Sequence, residues 1–542
     1  MKTSQSLSFI GIVGSLTIPG MKAQEPEKKP NILFLFADDW GEYASCYRNI
    51  DRSNHINSVF ETPNIDRFAR EGVIFTHAYA PAPSSTPCRS SILTGQYFYR
   101  TGMGAILHGA EWDETIPTYP PILRDHGYHI GYTYKVWAPG TVANEPYGGG
   151  KENKLDSAEI AGRNPKHSKL WYFCNPEDEL AYESGGRDFN GFSQYVTNSE
   201  DTERAKKELL DEVRQNFLSF LADRKKGQPF CYWFGPTNTH RPWVKGSGKK
   251  LWGIDPDKLK GKMPDFLPDV PEIREDFSDY LGEALAWDAA VGVFYEILKE
   301  TGEFDNTLVV ISGDHGIPGF PRGKTNLYDL GTRVALIVSC PGKYEGNRVV
   351  DDFVNLMDLA PTFLEVAGLK VPGIMNGKSI APVLASGKSG MVDPSRNYVL
   401  TGRERHVDRA REGNLPYPQR AIRTKEYLYI RNFKPDRYPV GTFENRLPDI
   451  DGGPTKTWFI KNHDNPEYQY EWNLAFGLRP YEELYKISED PYEMNNLAGK
   501  PQYDRIKRKL AVMMDSLIVE TKDPRINNDD CIFDRMPYII LP

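Results

Sequence analysis

Four short apolar runs, each followed within a few residues by a polar side chain able to do chemistry, constrain this chain more than any other feature. Residues 31–36 (NILFLF) lead to Asp38 and Asp39, residues 129–134 to Lys135, residues 229–234 through a short loop to His240, and residues 307–311 (TLVVI) to Asp314 and His315. Apolar residues at successive positions, rather than alternate ones, suit strands covered on both faces. Helical patterns lie at 63–71, 203–224 and 282–300, the second with Leu209, Val213, Phe217 and Leu221 on one stripe. The alternation predicts an α/β fold with a large, mostly parallel sheet flanked by helices. Ligands of such sheets sit outside the carboxyl ends of the strands, and all six polar residues are expected on that rim.

The texture changes after about residue 394. Residues 420–433 are rich in β-formers, 450–461 read as a Gly/Pro-interrupted loop, and 502–519 carry Ile506, Leu510, Met513 and Leu517 on one helical face. A catalytic α/β domain over 29–394 and a smaller C-terminal α+β subdomain over 395–542 are expected. Residues 1–23 have the form of a signal peptide, with Lys2, a mildly apolar run over 7–18 and a small-residue exit at Ala23. That predicts a secreted or periplasmic protein without stable membrane insertion. The charge sum of 66 − 74 = −8 gives no general basic surface for nucleic acid. The six cysteines have neither CxxC nor metal-type spacing, so their pairing stays open.

The sharpest local stretch is SSTPCRSSILTG at 84–95. Pro87 suits the first turn of a helix and Ser85 or Thr86 its N-cap. Arg89 follows Ser85 by four residues, so its guanidinium is expected to turn back towards that side chain. A helix N-terminus beside an arginine is an anion site. Asp38-Asp39 and Asp314-His315 end two apolar strands, and carboxylates there need compensation. A hard divalent cation, calcium or magnesium, meets that need.

Taken together these segments resemble the type I sulfatases of the alkaline phosphatase superfamily. That family's signature is Cys or Ser, any residue, Pro, a small residue, Arg, then Leu-Thr-Gly, and it stands here as Ser85-Thr86-Pro87-Cys88-Arg89 with Leu93-Thr94-Gly95. Cys88 has neither Pro two residues on nor Arg four on; Ser85 has both. NILFLFADDWG at 31–41 and SGDHG at 312–316 are similar to the family's metal segments, and the likeness extends over about 29–520. Residues 316–318 (GIP), 323–328 (GKTNLY) and 520–524 (ETKDP) resemble the heparan N-sulfatase group.

The resemblance implies an alkaline phosphatase-like fold and a sulfohydrolase. It implies that Ser85 is oxidised to Cα-formylglycine by an anaerobic sulfatase-maturating enzyme before export. A sulfated aldehyde hydrate can expel sulfate by collapse to the aldehyde, whereas a serine sulfate would be a stable ester. Asp38, Asp39, Asp314 and His315 would hold one calcium ion with residue 85 completing the site. His315 stands where many members have Asn. Arg89 would hold the hydrated aldehyde, Lys135 and Lys324 the sulfate oxygens, and His240 would protonate the departing atom. The sequence departs from the family in having no His after Lys135; His108 is the nearest candidate. The implied substrate is a sulfated oligosaccharide, with N-sulfoglucosamine of heparin or heparan favoured. An O-sulfatase on a galactan, ulvan, mucin or another glycosaminoglycan is the alternative. A phosphodiesterase or phosphonate hydrolase of the superfamily and a silent glycan-binding protein rank lower. Glu404, Arg405 and His406, with Arg409 and Arg411, form a polar cluster expected to grip the sugar.

Overall fold

A computed structural model describes residues 28–50, 55–141, 145–147, 151–152, 171–172, 181–182 and 188–536. The signal-peptide expectation for 1–23 lies outside them. The strands of the chain are β1 (Asn31–Ala37), β2 (Val73–Tyr79), β3 (His129–Tyr134), β4 (Lys151–Glu152), β5 (Trp171–Tyr172), β6 (Ala181–Tyr182), β7 (Phe230–Gly235), β8 (Thr307–Gly313), β9 (Leu336–Ser339), β10 (Arg348–Asn355), β11 (Tyr398–Arg403), β12 (Gln419–Thr424), β13 (Tyr427–Asn432) and β14 (Glu482–Lys486). The main sheet has the order β10-β2-β9-β8-β1-β7-β3-β4. Its pairings are parallel except where β9 meets β2 and β8. The fold is therefore the expected mostly parallel α/β sheet.

The apolar runs are continuous because both faces are covered. In β1, Leu33, Leu35 and Ala37 join one core, and Ile32, Phe34 and Phe36 join the other. The first core is completed by α1 (Pro63–Arg70), α3 (Thr202–Asp223) and α4 (Pro271–Glu300). The second includes α2 (Ser85–Thr94), the helix after β2, and α5 (Leu359–Val366).

Two helices differ instructively from the sequence reading. Helix α4 begins at Pro271 rather than near 282, because its first turns are buried yet carry charges that hide the apolar stripe. Those charges have internal partners: Asp276 pairs with Arg241, and Asp279 accepts the backbone N–H groups of Gly246 and Gly248. In α2 the N-cap is Ser84, not Ser85 or Thr86, and Ser85 is already the first helical residue. Gly95 closes α2 in the left-handed region at φ 64°, its N–H bonding to the Ser91 carbonyl.

The C-terminal strands form a separate antiparallel sheet, β11-β12-β13-β14. Helix α6 (Asp504–Glu520) packs on it through Leu510, Met514, Leu517 and Ile518 against Leu400, Ile422, Tyr429 and Leu484. Among the described residues no helix is long and apolar enough to cross a membrane.

Candidate active site

Strands β8, β1, β7 and β3 are neighbours and run in the same direction, so their carboxyl ends stand side by side. Asp38-Asp39, Asp314-His315, Lys135 and the loop to His240 leave from those four ends. The close fit depends on two strand-end glycines. A Cβ at Gly313 would lie 1.9 Å from the Trp40 carbonyl oxygen, and one at Gly235 would lie 1.9 Å from that of Lys135. Asp39 turns off β1 with φ 56°, and its N–H donates to Asp314 Oδ1 at 2.7 Å.

Ser85 points into this rim from the first turn of α2. Its Oγ lies 3.0 Å from Asp314 Oδ2, 3.0 Å from Lys135 Nζ, 3.3 Å from Asp38 Oδ1 and 3.4 Å from His315 Nε2. Arg89 does not turn back to Ser85 itself, as its spacing suggested. It reaches the carboxylates that Ser85 also touches, Asp38 at 2.8 Å and Asp314 at 3.1 Å, and its Nη1 donates to the Lys135 and Val136 carbonyls. The two residues thus meet through shared acceptors. Cys88 is buried one turn away; burial raises its thiol well above the usual value, and its S–H donates to the Asp314 carbonyl.

Burial would raise the Asp38 carboxyl, but Lys135 and Arg89 hold it well below the usual range. Its neighbour Asp39 goes the other way, raised by burial against the pull of Lys324. Lys324 Nζ bridges Asp39 Oδ2 at 2.9 Å and Asp451 Oδ2 at 3.1 Å; despite burial, these carboxylates push its ammonium upward. His240 is partly exposed, with Nδ1 donating to the Arg241 carbonyl and Nε2 at 3.8 Å from Asp39 Oδ2. His315 Nδ1 donates to the Gly316 carbonyl, leaving Nε2 towards Asp39 Oδ1 at 3.2 Å.

The donor set suits a hard divalent cation. Asp39, Asp314 and His315 each present a ligand atom, all within 4.8 Å of one another, and Asp38, Asp39 and His240 do likewise. Asp39 Oδ1 is buried and accepts no hydrogen bond. Three buried carboxylates and one imidazole nitrogen match the oxygen-rich sites of calcium or magnesium, with His315 the softest member.

All nine residues expected at the centre therefore gather there: Asp38, Asp39, Ser85, Arg89, Lys135, His240, Asp314, His315 and Lys324. The polar cluster at 404–406 turns out differently. Glu404, Arg405 and His406 are only 2–3 % exposed, so they do not form an open binding patch. Glu404 is enclosed by Arg420 and Arg525, Arg405 donates to the Met536 carbonyl, and Arg411 pairs with Asp449. Only His406 approaches the centre, sharing a 2.8 Å hydrogen bond with Ser84 Oγ; burial pushes its imidazole well below the usual value. His108 faces Asp408 instead of the Ser85 group. Asp451 was missed altogether: the loop expected over 450–461 is helical at Pro454–Lys461, and nothing in the sequence marks the aspartate before that helix as facing Lys324.

Comparison with known proteins gives a consistent result. The sequence model of the Sulfatase family matches residues 30–369, and that of the C-terminal region of N-sulphoglucosamine sulphohydrolase matches 313–438. The N-sulphoglucosamine sulphohydrolase of Homo sapiens is 26% identical over 534 residues, covering 93% of both chains. An ulvan-active sulfatase of Formosa agariphila is 27% identical over 501 residues, covering 90% of this chain and 80% of its own. Among solved structures, BT4656 in complex with its substrate D-glucosamine-2-N,6-O-disulfate superposes with a TM-score of 0.59 at 19% identity, over 92% of this chain and 99% of that one.

Proposed function

Because the chain belongs to the sulfatase family and is sulfamidase-like in its C-terminal part, we propose that it removes sulfate from sulfated sugars, with the reaction centred on residue 85. The observation that carries this reading is the position of Ser85 Oγ, which lies within hydrogen-bond reach of both Asp314 and Lys135. Oxidation of Ser85 to Cα-formylglycine by an anaerobic maturase would supply an aldehyde hydrate there. Asp38, Asp39, Asp314 and His315 would hold one calcium ion, which supplies positive charge beside the reacting group.

The remaining roles belong to the chain's own side chains. Lys135 and Lys324 bind and orient the sulfate oxygens, where fixed cations favour the charge that develops. Arg89 holds Asp38 and Asp314 in register. His240, whose Nδ1–H donates to the Arg241 carbonyl, delivers a proton from Nε2 to the departing atom when the ring carries both protons. The substrate we favour is N-sulfoglucosamine at a heparin or heparan chain end. Its support is the sulfamidase C-terminal match and the activity for which the human relative is named. The ulvan-active relative, equally similar, keeps an O-sulfated polysaccharide as the second reading. The signal-like N-terminus supports action outside the cytoplasm.

One experiment set tests this. Mass spectrometry of protein from its native host should show the aldehyde form of residue 85, and Ser85→Ala should lower turnover by roughly 10³-fold or more. Elemental analysis should find about one calcium per chain, and chelation should abolish turnover. Full activity of unmodified, metal-free protein would end the proposal. Sulfate release from N-sulfoglucosamine, against 2-O- and 6-O-sulfated heparin saccharides, galactan and ulvan oligosaccharides, decides the sugar.

A further inference from the structure

The segment 449–455 comes from the C-terminal part of the chain yet reaches the rim of the main sheet. It is fixed at both ends by contacts that do not involve Asp451. Asp449 pairs with Arg403 at 2.6 Å and Arg411 at 2.7 Å, and its carbonyl accepts Thr325 Oγ1 at 2.9 Å. Thr455 donates its N–H and hydroxyl to Asp276, which is itself held bidentately by Arg241. Gly453 packs so closely that a Cβ would lie 2.2 Å from Arg241 Nη1. Between these anchors the Asp451 carboxylate is set against Lys324 at 3.1 Å, and Oδ2 accepts no well-directed hydrogen bond. The side chain is 25% exposed.

A carboxylate in that position is unexpected for a site that binds sulfate. It weakens the hold of Lys324 on any anion, so its presence calls for a compensating interaction. Its surroundings narrow what that is. The Lys324 ammonium holds the Asp451 carboxyl below the usual carboxylate range against the cost of burial. An ionised carboxylate only accepts hydrogen bonds. It is therefore built to meet a donor on the substrate, near the lysine that faces the sulfate and the histidine that faces the departing atom.

We propose that Asp451 is a specificity-determining residue that touches the substrate and accepts the N–H of an N-sulfated amino sugar. The inference rests on the sulfohydrolase reading above and deepens it. The linking atom of a sulfamate carries a hydrogen; the linking oxygen of a sulfate ester carries none. An ester in the same pose would set two acceptors against each other, a mismatch that sites of this kind use to discriminate strongly. The net reaction is R–NH–SO₃⁻ + H₂O → R–NH₃⁺ + SO₄²⁻. The S–N bond breaks, the nitrogen gains two protons, and the water oxygen ends on sulfur. The product ammonium then leaves beside a carboxylate that favours it.

The test compares matured, calcium-loaded wild type with Asp451→Ala and Asp451→Asn, on N-sulfoglucosamine and on glucosamine-6-O-sulfate, with inhibition by inorganic sulfate as an independent readout. Asp451→Ala should lower kcat/KM for N-sulfoglucosamine by about 10–100-fold. Asp451→Asn, which keeps an acceptor oxygen, should recover part of the loss. Sulfate should inhibit both variants as strongly as wild type or more strongly, since Lys324 loses a competing partner. Wild type that acts on N-sulfoglucosamine, with Asp451→Ala equally fast, overturns the role of Asp451 alone. A loss accompanied by weaker sulfate inhibition also overturns it, because Asp451 would then be supporting Lys324. Wild type that releases only the 6-O-sulfate overturns both the N-sulfo substrate and the role of Asp451.

Discussion

Arg89 shows how much of the centre rests on one side chain. It is fully buried and places its donors on two carboxylates and two carbonyls. Removing it leaves Asp314 without its arginine and Asp38 with Lys135 alone, and breaking a buried pair of this kind typically costs about 3–5 kcal/mol. Arg89→Ala should therefore lower stability by that order in denaturant unfolding and abolish turnover. Arg89→Lys should keep the charge, lose the planar fork and remain well short of wild type. The register Ser-x-Pro-x-Arg makes Arg89 visible in the sequence; what it touches was not visible, because the acceptors follow strands 51 and 225 residues distant. Glu404 illustrates the converse. Its neighbours suggested a polar cluster for gripping sugar, but its partner Arg525 lies 121 residues away, and no local pattern signals a pair of that separation.

At the scale of elements, strands were the easier reading. The runs at 31–36, 129–134, 229–234 and 307–311 were legible because burial on both faces leaves uninterrupted apolar sequence. Strand β2 was not, since Thr76 and His77 interrupt it, and β9 is only four residues long. Helix α4 was half legible for the reason given by its buried charges. A further buried charge of the helix, Glu283, supports the loop before His240 by accepting Asn238 Nδ2 and the Ser193 N–H. Burial raises its carboxyl from 4.5 to about 7, with those hydrogen bonds opposing. A raised acid binds more protons in the fold than in the unfolded chain between these two values, so stability falls as pH rises through that window, by about 3 kcal/mol. Glu283→Gln abolishes this titration. The stability of wild type relative to the variant should drop between pH 5 and pH 8; a constant difference would argue against a buried, protonated Glu283.

At the scale of the whole molecule, residues from 395 onwards are bound to the main sheet by buried charge. Arg423 grips Asp329 bidentately, and Asp451 meets Lys324. We propose that this region is a subdomain unable to separate from the rest without undoing the site. Gly453→Ala tests that link, since the added carbon must displace Arg241 or the loop. Its expected outcome is a larger fall in kcat/KM than in melting temperature, measured side by side. The sequence marked a change of texture near 394 but not this interlocking, because the joining residues are single charges whose partners lie far away in the chain.

The seclusion of Ser85 bears on timing. The residue is 2% exposed, and every other residue of α2 is buried as well. No second protein can reach that hydroxyl once the helix has docked. Any enzyme that alters it must act on a chain still unfolded at this point, so the proposed modification would compete with folding. A slower-folding chain would be converted more completely, and a fast-folding one would trap unaltered serine permanently. Purified maturase added to folded protein should leave residue 85 unchanged by mass spectrometry, while the same enzyme supplied with a peptide spanning 80–100 should convert it.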